Sequence, residues 1–210
     1  MPKTEIVTQR LKLRLIDLSD LESIHELHSL PESDKYNALG IPETIDETKS
    51  VIQPWILEHQ SNEIKNYTFA IDNNLNGTFM GLFGVKLGDK KYKRAEVWYK
   101  IHSDYWNKGY ATESLKAIIN FGFETLKLHR MEAGCAVDNK GSFKVLEKAV
   151  HPLVLEDRQN FQNNTKKEIV VFDIPLLFEI GADKDMHKTV CVFTSYENQL
   201  ERLMNRSHGS

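Results

Sequence analysis

Apolar and polar residues alternate in several segments of the first two thirds of the chain, which is typical of strands with one buried face. In the first of these segments, Leu11, Leu13 and Leu15 are separated by basic residues. Another segment, Phe79 to Leu87, is an apolar run that follows a turn at residues 73–77. The predicted strands are residues 10–15, 67–71, 79–87, 95–101 and 129–137.

Helical spacing of apolar residues separates these strands. It begins after Ser19, at Val51 and after Gly109, and a last short helix is predicted over residues 141–148. Ser19 and Asn139 carry side chains suited to cap the first and the last of these helices. The pattern predicts an α/β (α+β) fold, in which helices flank a mixed sheet.

Length and composition narrow the class of protein. The chain has 210 residues, 40% of them hydrophobic, and a net charge of −3. We expect one domain with a packed core or one domain plus a fragment, and no nucleic-acid binding from bulk charge. No apolar run reaches membrane-spanning length, and the N-terminus lacks a signal-peptide core. Cys135 and Cys191 form no metal or redox motif, so we expect a cytoplasmic protein without a metal.

The segment from Tyr105 to Glu113 contains the first candidate binding chemistry. It lies between a predicted strand and a predicted amphipathic helix. The N-terminus of a helix carries unpaired N–H groups and partial positive charge, and it binds a pyrophosphate when small residues let the backbone come close. Gly109 and Ala111 are small, and Lys108 adds a positive charge. For the glycine alone, an ordinary tight turn with a helix cap is the preferred interpretation.

The whole loop resembles the acetyl-CoA pyrophosphate loop of the GNAT superfamily, [Gln/Arg]-x-x-Gly-x-[Gly/Ala], with Trp106 at the Gln/Arg position. Residues 8–14, 123–133 and 139–148 are similar to the ribosomal-protein alanine N-acetyltransferase branch. The resemblance covers residues 8–149. It implies an enzyme, an acyltransferase that moves an acetyl group from acetyl-CoA to a primary amine.

The resemblance also implies the residues that bind the co-substrate. They are Ile101, Trp106, Asn107, Lys108, Gly109, Tyr110, Ala111, Thr112, Asn139 and Ser142. The amine acceptor, a protein N-terminus or a small molecule, is expected to meet the loop and short helix predicted within residues 30–49.

Acetyl transfer needs a base for the amine and an acid for the leaving thiolate. Many GNAT enzymes carry a glutamate where Glu96 stands, and a buried carboxylate makes a better base because its pKa is raised. A solvated strand residue beside a basic hairpin tip is an equally good interpretation of Glu96. The usual acid is a tyrosine, but its position here is Leu146. The resemblance therefore leaves Ser142 or water as the acid.

The family that the sequence resembles changes after Lys148. A GNAT domain is expected to continue with a Gly-Phe pair and two strands, but this chain reads Ala-Val-His-Pro-Leu-Val. Residues 146 to about 206 are similar to dephospho-CoA kinase, above all the Asp-Ile-Pro-Leu-Leu-Phe-Glu run at 173–179. We therefore expect a GNAT domain at 1–149 that lacks its last strands. A partial P-loop-kinase-like α/β fragment is expected to follow at 150–210.

The printed sequence has no P-loop motif, so kinase activity is not expected. Residues 146–149 fit both parents, which favours a chimera over a natural fusion of two CoA-related proteins. Strands are predicted at 169–174 and 189–194, and they would leave an apolar patch that promotes self-association. Val170, Phe172, Leu176, Leu177 and Phe178 form this patch. Two functions stay open: an active N-acetyltransferase, or a CoA-binding protein without turnover.

Overall fold

The computed structural model describes residues 4–36 and 40–167 together with Lys184, except for the side chains of Ser33 and Asp34. The chain divides into two compact units, residues 1–161 and 162–210. The strands and the apolar patch predicted for the tail lie outside the described residues. The sheet and the candidate site belong to the first unit, and the predicted domain join after residue 149 stays a prediction.

Six strands form one mixed sheet, in which they lie side by side in chain order. All neighbours are antiparallel except β5 and β6, which are parallel. The strands are β1 (Glu5–Val7), β2 (Leu11–Leu15), β3 (Asn66–Asn73), β4 (Phe79–Leu87), β5 (Arg94–Ile101) and β6 (Arg130–Ala133).

Helices cover both faces of the sheet, and this confirms the predicted mixed sheet flanked by helices. The helices are α1 (Leu21–Ser29), α2 (Pro31–Asp34), α3 (Ile45–His59), α4 (Tyr110–Asn120) and α5 (Lys140–Asn164). A π-helical turn, Phe121–Thr125, extends α4 towards β6.

The two faces of the sheet bury separate cores. On one face, alternate residues of β5, among them Val97, pack with Leu115 of α4 and Ala149 of α5. On the other face, Ile24 of α1 and Ile52 of α3 pack with residues of β3 and β4. The alternation of side chains along β5 therefore assigns odd-numbered residues to the α4 face and even-numbered residues to the α3 face.

Trp98 illustrates the α3 face. Its ring lies 6.0 Å from the ring of Trp55 of α3, and the two planes are tilted by 55°. Gly84 of β4 lies directly under the indole, and a Cβ at this position would overlap the ring. Gly84 therefore makes room for the aromatic side chain on the neighbouring strand.

Two predicted helix starts were wrong. Ser19 does not cap α1; instead Asp17 accepts from the backbone N–H of Ser19 and caps a short 3-10 turn that leads into the helix. The second long helix begins at Ile45 rather than at Val51, because Thr44 accepts from a first-turn N–H and caps it there.

The remaining differences lie at the ends of the sheet. The short strand β1 was not predicted; it pairs with β2 through a tight turn, in which the Thr8 N–H donates to the Leu11 carbonyl over 2.8 Å. The predicted strand at 129–137 is only four residues long. The helix predicted at 141–148 continues to Asn164 and carries Pro152 in its interior.

Candidate functional site

The turn between β5 and α4 leaves the N-terminus of α4 open. Gly109 occupies the capping position in a left-handed conformation, φ +81°, and it has no side chain to cap the helix. The first helical hydrogen bond runs from the Glu113 N–H to the Gly109 carbonyl over 3.0 Å. The N–H groups of residues 110–112 come before this bond and have no intrahelical partner. Together with the helix dipole they make this end of α4 a candidate anion site.

Trp106 fastens the loop to the end of β5. Its indole Nε1 donates to the carbonyl of Ile101 over 2.7 Å. The next residue, Asn107, has a left-handed backbone with φ +59°, which turns the chain towards the helix. Trp106 therefore supports the shape of the loop at the position where the family carries Gln or Arg.

The N-terminal segment clamps the first turn of α4. Thr8 Oγ1 donates to Glu113 Oε1 over 2.6 Å, and Arg10 Nε donates to Glu113 Oε2 over 2.6 Å. Arg10 also donates to the Lys108 carbonyl over 3.1 Å and lies 4.5 Å above the Tyr110 ring. Burial favours the protonated form of Glu113, but the hydrogen bonds from Thr8 and Arg10 outweigh it and lower its pKa.

An open groove of about 660 Å³ runs along α4 from this clamp. Gly109 lies at its edge, and Lys116 of α4 and Lys148 of α5 contribute two ammonium groups. The other lining residues are Ile6, Val7, Thr8, Gln9, Thr112, Glu113, Ala117 and Asn120. The groove is suited to an elongated ligand with several negative charges, because its two lysines lie beyond the anion site.

The pairing between β5 and β6 ends before β5 reaches the loop with the candidate anion site. The parallel pairing of β5 and β6 runs from Arg94 opposite Arg130 to Val97 opposite Ala133. Beyond Ala133 the strand β6 ends, whereas β5 continues for four residues to Ile101. Among the described residues, this stretch of β5 therefore has a paired strand only on its β4 side. The unpaired side is where an extended ligand can add hydrogen bonds to the backbone.

Tyr99 lies on this open stretch and faces α5. Its hydroxyl donates to Ser142 Oγ over 3.0 Å, and the Ser142 N–H donates to Asn139 Oδ1 over 3.0 Å. Asn139 thereby caps α5, as predicted. Burial raises the pKa of the Tyr99 phenol; the hydrogen bond to Ser142 opposes this rise, and the nearby Cys135 adds to it.

The proposed base lies on the other face. Glu96 is exposed at the start of β5, with Lys86 of β4 on one side and Glu132 of β6 on the other. Of the two interpretations of Glu96, the exposed position fits the solvated strand residue. Glu96 is even-numbered and Tyr99 is odd-numbered, so their side chains lie on opposite faces of the sheet.

A small cavity of about 100 Å³ lies between α1, α3 and the segment that begins at Gly40. His28 of α1 lines it and is only 4% exposed. Burial lowers the pKa of His28 to about 4, and the positive charges of Lys100 and His25 add to this effect. His28 is therefore neutral near pH 7, on the face of the sheet that carries Glu96.

The structure places the predicted binding residues in two groups, one in the loop before α4 and one at the start of α5, with Glu96 on the opposite face of the sheet. Sequence reasoning did not select Arg10, Glu113, Tyr99 or His28 as candidate residues. The segments around Arg10 and Glu113 were quoted for their resemblance, but nothing in the sequence shows that these two residues pair. No group of three or more potential metal ligands occurs among the described residues. Nor does any helix in this part of the chain have the length and apolarity to span a membrane.

Comparison with known proteins finds two families on the chain. The sequence model described as "Acetyltransferase (GNAT) domain" matches residues 10–149. The model described as "Dephospho-CoA kinase" matches residues 123–210. The two matches overlap over residues 123–149, and this confirms the two resemblances recognised in the sequence.

Individual proteins show the same division. The uncharacterized N-acetyltransferase YoaA of Bacillus subtilis is 30% identical over 80% of this chain and 94% of its own length. Dephospho-CoA kinase of Ruegeria pomeroyi is 46% identical over 65 residues, which are 31% of this chain and 33% of that kinase. The chain thus spans about a third of the kinase. The crystal structure of spermidine N-acetyltransferase from Vibrio cholerae contains CoA and spermine. It has the same fold as this chain, with 22% sequence identity and a TM-score of 0.59. The match covers 68% of this chain and 80% of that one.

Proposed function

The chain belongs to the acetyltransferase (GNAT) family through residues 10–149, and we propose that it moves the acetyl group of acetyl-CoA to a primary amine. The open N-terminus of α4 behind Gly109 is the observation that carries this proposal. A left-handed glycine, three free N–H groups and a helix dipole fit a pyrophosphate, and no metal is required for this fit. The acceptor is proposed to be a protein N-terminus or a small-molecule amine.

The co-substrate is proposed to bind along α4 and across the open side of β5. The pyrophosphate would meet the N–H groups of residues 110–112, with Lys108 nearby. The groove with Lys116 and Lys148 suits the remaining phosphate of CoA, because it adds positive charge beyond the anion site. The pantetheine arm would add hydrogen bonds to the unpaired backbone near Ile101, beside Asn139 and Ser142.

The base and the acid of the reaction are proposed to lie on opposite faces of the sheet. Glu96 would accept a proton from the amine on the α3 face, and Ser142 would donate one to the thiolate on the α4 face. The gap between β5 and β6 is the place where groups on opposite faces can reach one reacting carbon. Neutral His28 adds no positive charge that would repel a cationic amine on that face.

A second candidate, a CoA-binding protein without turnover, is favoured by one observation. The strand β6 has only four residues, and its outer side has no paired strand among the described residues. A short edge strand holds a neighbouring reacting group less firmly than a strand that is paired on both sides.

Release of free thiol from acetyl-CoA, measured with a panel of amines, separates these two functions. The panel should include spermidine, a peptide with a free N-terminus and the same peptide blocked by formylation. Amine-dependent thiol release supports the acetyltransferase. Tight binding of acetyl-CoA in calorimetry without thiol release on any amine would favour the second candidate. An absence of binding would contradict both.

A further inference from the structure

We propose that Tyr99 positions the Ser142 hydroxyl, so that the proton of Ser142 points at the sulfur of CoA. This inference rests on the proposed function and assigns a residue that the resemblance to the family does not supply. Its basis is the 3.0 Å hydrogen bond from the Tyr99 hydroxyl to Ser142 Oγ, beside the open stretch of β5.

The direction of this hydrogen bond decides what Ser142 can do. A phenol is more acidic than an alcohol and is the better donor of the two hydroxyls, so Tyr99 donates and Ser142 Oγ accepts. The proton of Ser142 is then available for another acceptor. No acceptor for that proton occurs among the hydrogen bonds of the described residues. A hydroxyl that accepts one hydrogen bond is a stronger donor in the next, because the chain of bonds is polarised.

The surroundings of Ser142 favour a developing negative charge. Ser142 lies in the first turn of α5, where the helix dipole is positive, and its N–H is held by Asn139 Oδ1. The hydrophobic neighbours of Tyr99 on β4 and α5 keep its ring fixed; one of them, Phe83, stacks on it at 5.8 Å. Burial also raises the pKa of the phenol, so Tyr99 retains its proton and remains a donor near neutral pH.

The proposed step balances without a further reactant. The amine nitrogen forms a bond to the carbonyl carbon and loses its proton to Glu96 or to water. Ser142 gives its proton to sulfur as the carbon–sulfur bond breaks, and the electron pair of that bond stays on sulfur. Ser142 then regains a proton from water, while Tyr99 keeps its own proton and continues to hold Ser142 Oγ. Tyr99 thus acts through Ser142 and is a positioning residue.

Binding of CoA and of desulfo-CoA, measured by calorimetry, tests the inference without turnover. Desulfo-CoA lacks the sulfur but keeps the pyrophosphate and most of the pantetheine arm. We expect Tyr99→Phe to weaken CoA several-fold and to leave desulfo-CoA unchanged. Ser142→Ala should act in the same way, and the double variant should be no worse than Ser142→Ala. Tyr67→Phe is the matched control, since it removes a phenol from the same core without touching Ser142.

Kinetics give a second measure. Tyr99→Phe should lower kcat about tenfold with little change in the KM for acetyl-CoA, and Ser142→Ala should lower kcat about a hundredfold, in the range of a general acid. Equal weakening of both ligands by Tyr99→Phe would show a merely structural role and overturn the inference. Additive effects in the double variant would overturn it too. Failure of the unsubstituted protein to bind either ligand would instead contradict the proposed function.

Discussion

Arg10 Nε and Glu113 Oε2 lie 2.6 Å apart, although the two residues are 103 positions apart in the chain. The contact joins the turn before β2 to the first turn of α4. Its geometry is supported by Thr8, which donates to the other oxygen of the same carboxylate. The N-terminal segment therefore holds the loop before the candidate anion site from outside, since Arg10 also donates to the Lys108 carbonyl.

The clamp gives the first prediction. Glu113→Gln should destabilise the protein by about 1 kcal/mol near pH 7, because Arg10 is partly exposed and its ion pair is screened. Since the pKa of Glu113 is lowered in the folded state, its contribution is present above the unfolded pKa and is lost as the pH falls through the folded pKa. Urea unfolding between pH 7 and pH 3 should show the two proteins converging in acid. Glu124→Gln, in an exposed pair with Lys127, is the control and should change stability little at any pH.

Gly109 gives the second prediction. Gly109→Val should abolish acetyl-CoA binding, because a β-branched residue resists φ +81° and its side chain stands where the pyrophosphate approaches. A Cβ at this position would meet only Arg10 Nη2, at an ordinary 3.5 Å, so the fold should survive. Gly77→Val is the matched control: Gly77 has φ +71° in the turn between β3 and β4, with nothing within 4 Å of its Cβ. Equal affinity of Gly109→Val and the unsubstituted protein in calorimetry would contradict the site.

Most of the sheet could be predicted from the sequence, because one face of each long strand is buried and the alternation is regular. β4 was predicted at its observed ends, Phe79–Leu87. The strand β1 could not be predicted, because three residues give no readable alternation. The start of α3 was missed because Gly40 and Pro42 suggested a loop, whereas the Thr44 cap and the acidic first turn decide the helix start.

The candidate site also has one part that the sequence indicated and another part that it could not indicate. The loop around Gly109 was selected through its resemblance to the GNAT pyrophosphate loop, because a small residue before a helix fits an ordinary tight turn as well. The pairs Arg10–Glu113 and Tyr99–Ser142 join distant parts of the chain, and only the fold brings them into contact. Exposure of Glu96, on an inner strand between β4 and β6, likewise depends on how the helices cover its face of the sheet, and the alternation alone does not show this.

Glu96 gives the third prediction. If it is the base, Glu96→Gln should lower turnover at pH 7 by roughly two to four orders of magnitude, as removal of a general base commonly does. The affinity for acetyl-CoA should hardly change, because Glu96 lies on the face of the sheet opposite to Ser142. Glu132→Gln is the control, since Glu132 is the register partner of Glu96 on β6. An unaltered rate at pH 7 would remove Glu96 from the mechanism.

His28 gives the fourth prediction. Its folded pKa of about 4 lies below the ordinary 6.5, so the unfolded chain binds more protons between these values. Stability should therefore be greatest above pH 6.5 and fall by roughly 2 to 3 kcal/mol towards pH 4 from this residue alone. His28→Gln should be less stable than the unsubstituted protein at pH 7, and the difference should shrink in acid. Parallel stability curves over this range would show that His28 does not titrate with unfolding.

Pro152 gives the last prediction, which concerns α5. A proline inside a helix has no N–H for the carbonyl four residues earlier, here that of Lys148, and costs about 3 kcal/mol. The proline lies close to the predicted join, so the two halves of α5 should be weakly coupled at this point. Pro152→Ala should restore the missing hydrogen bond and slow amide hydrogen exchange of residues 150–156 about tenfold or more. Gln159→Ala, an exposed substitution in the same helix, should leave this exchange unchanged. If Pro152→Ala also leaves it unchanged, the hydrogen bond missing at Pro152 does not limit the stability of α5.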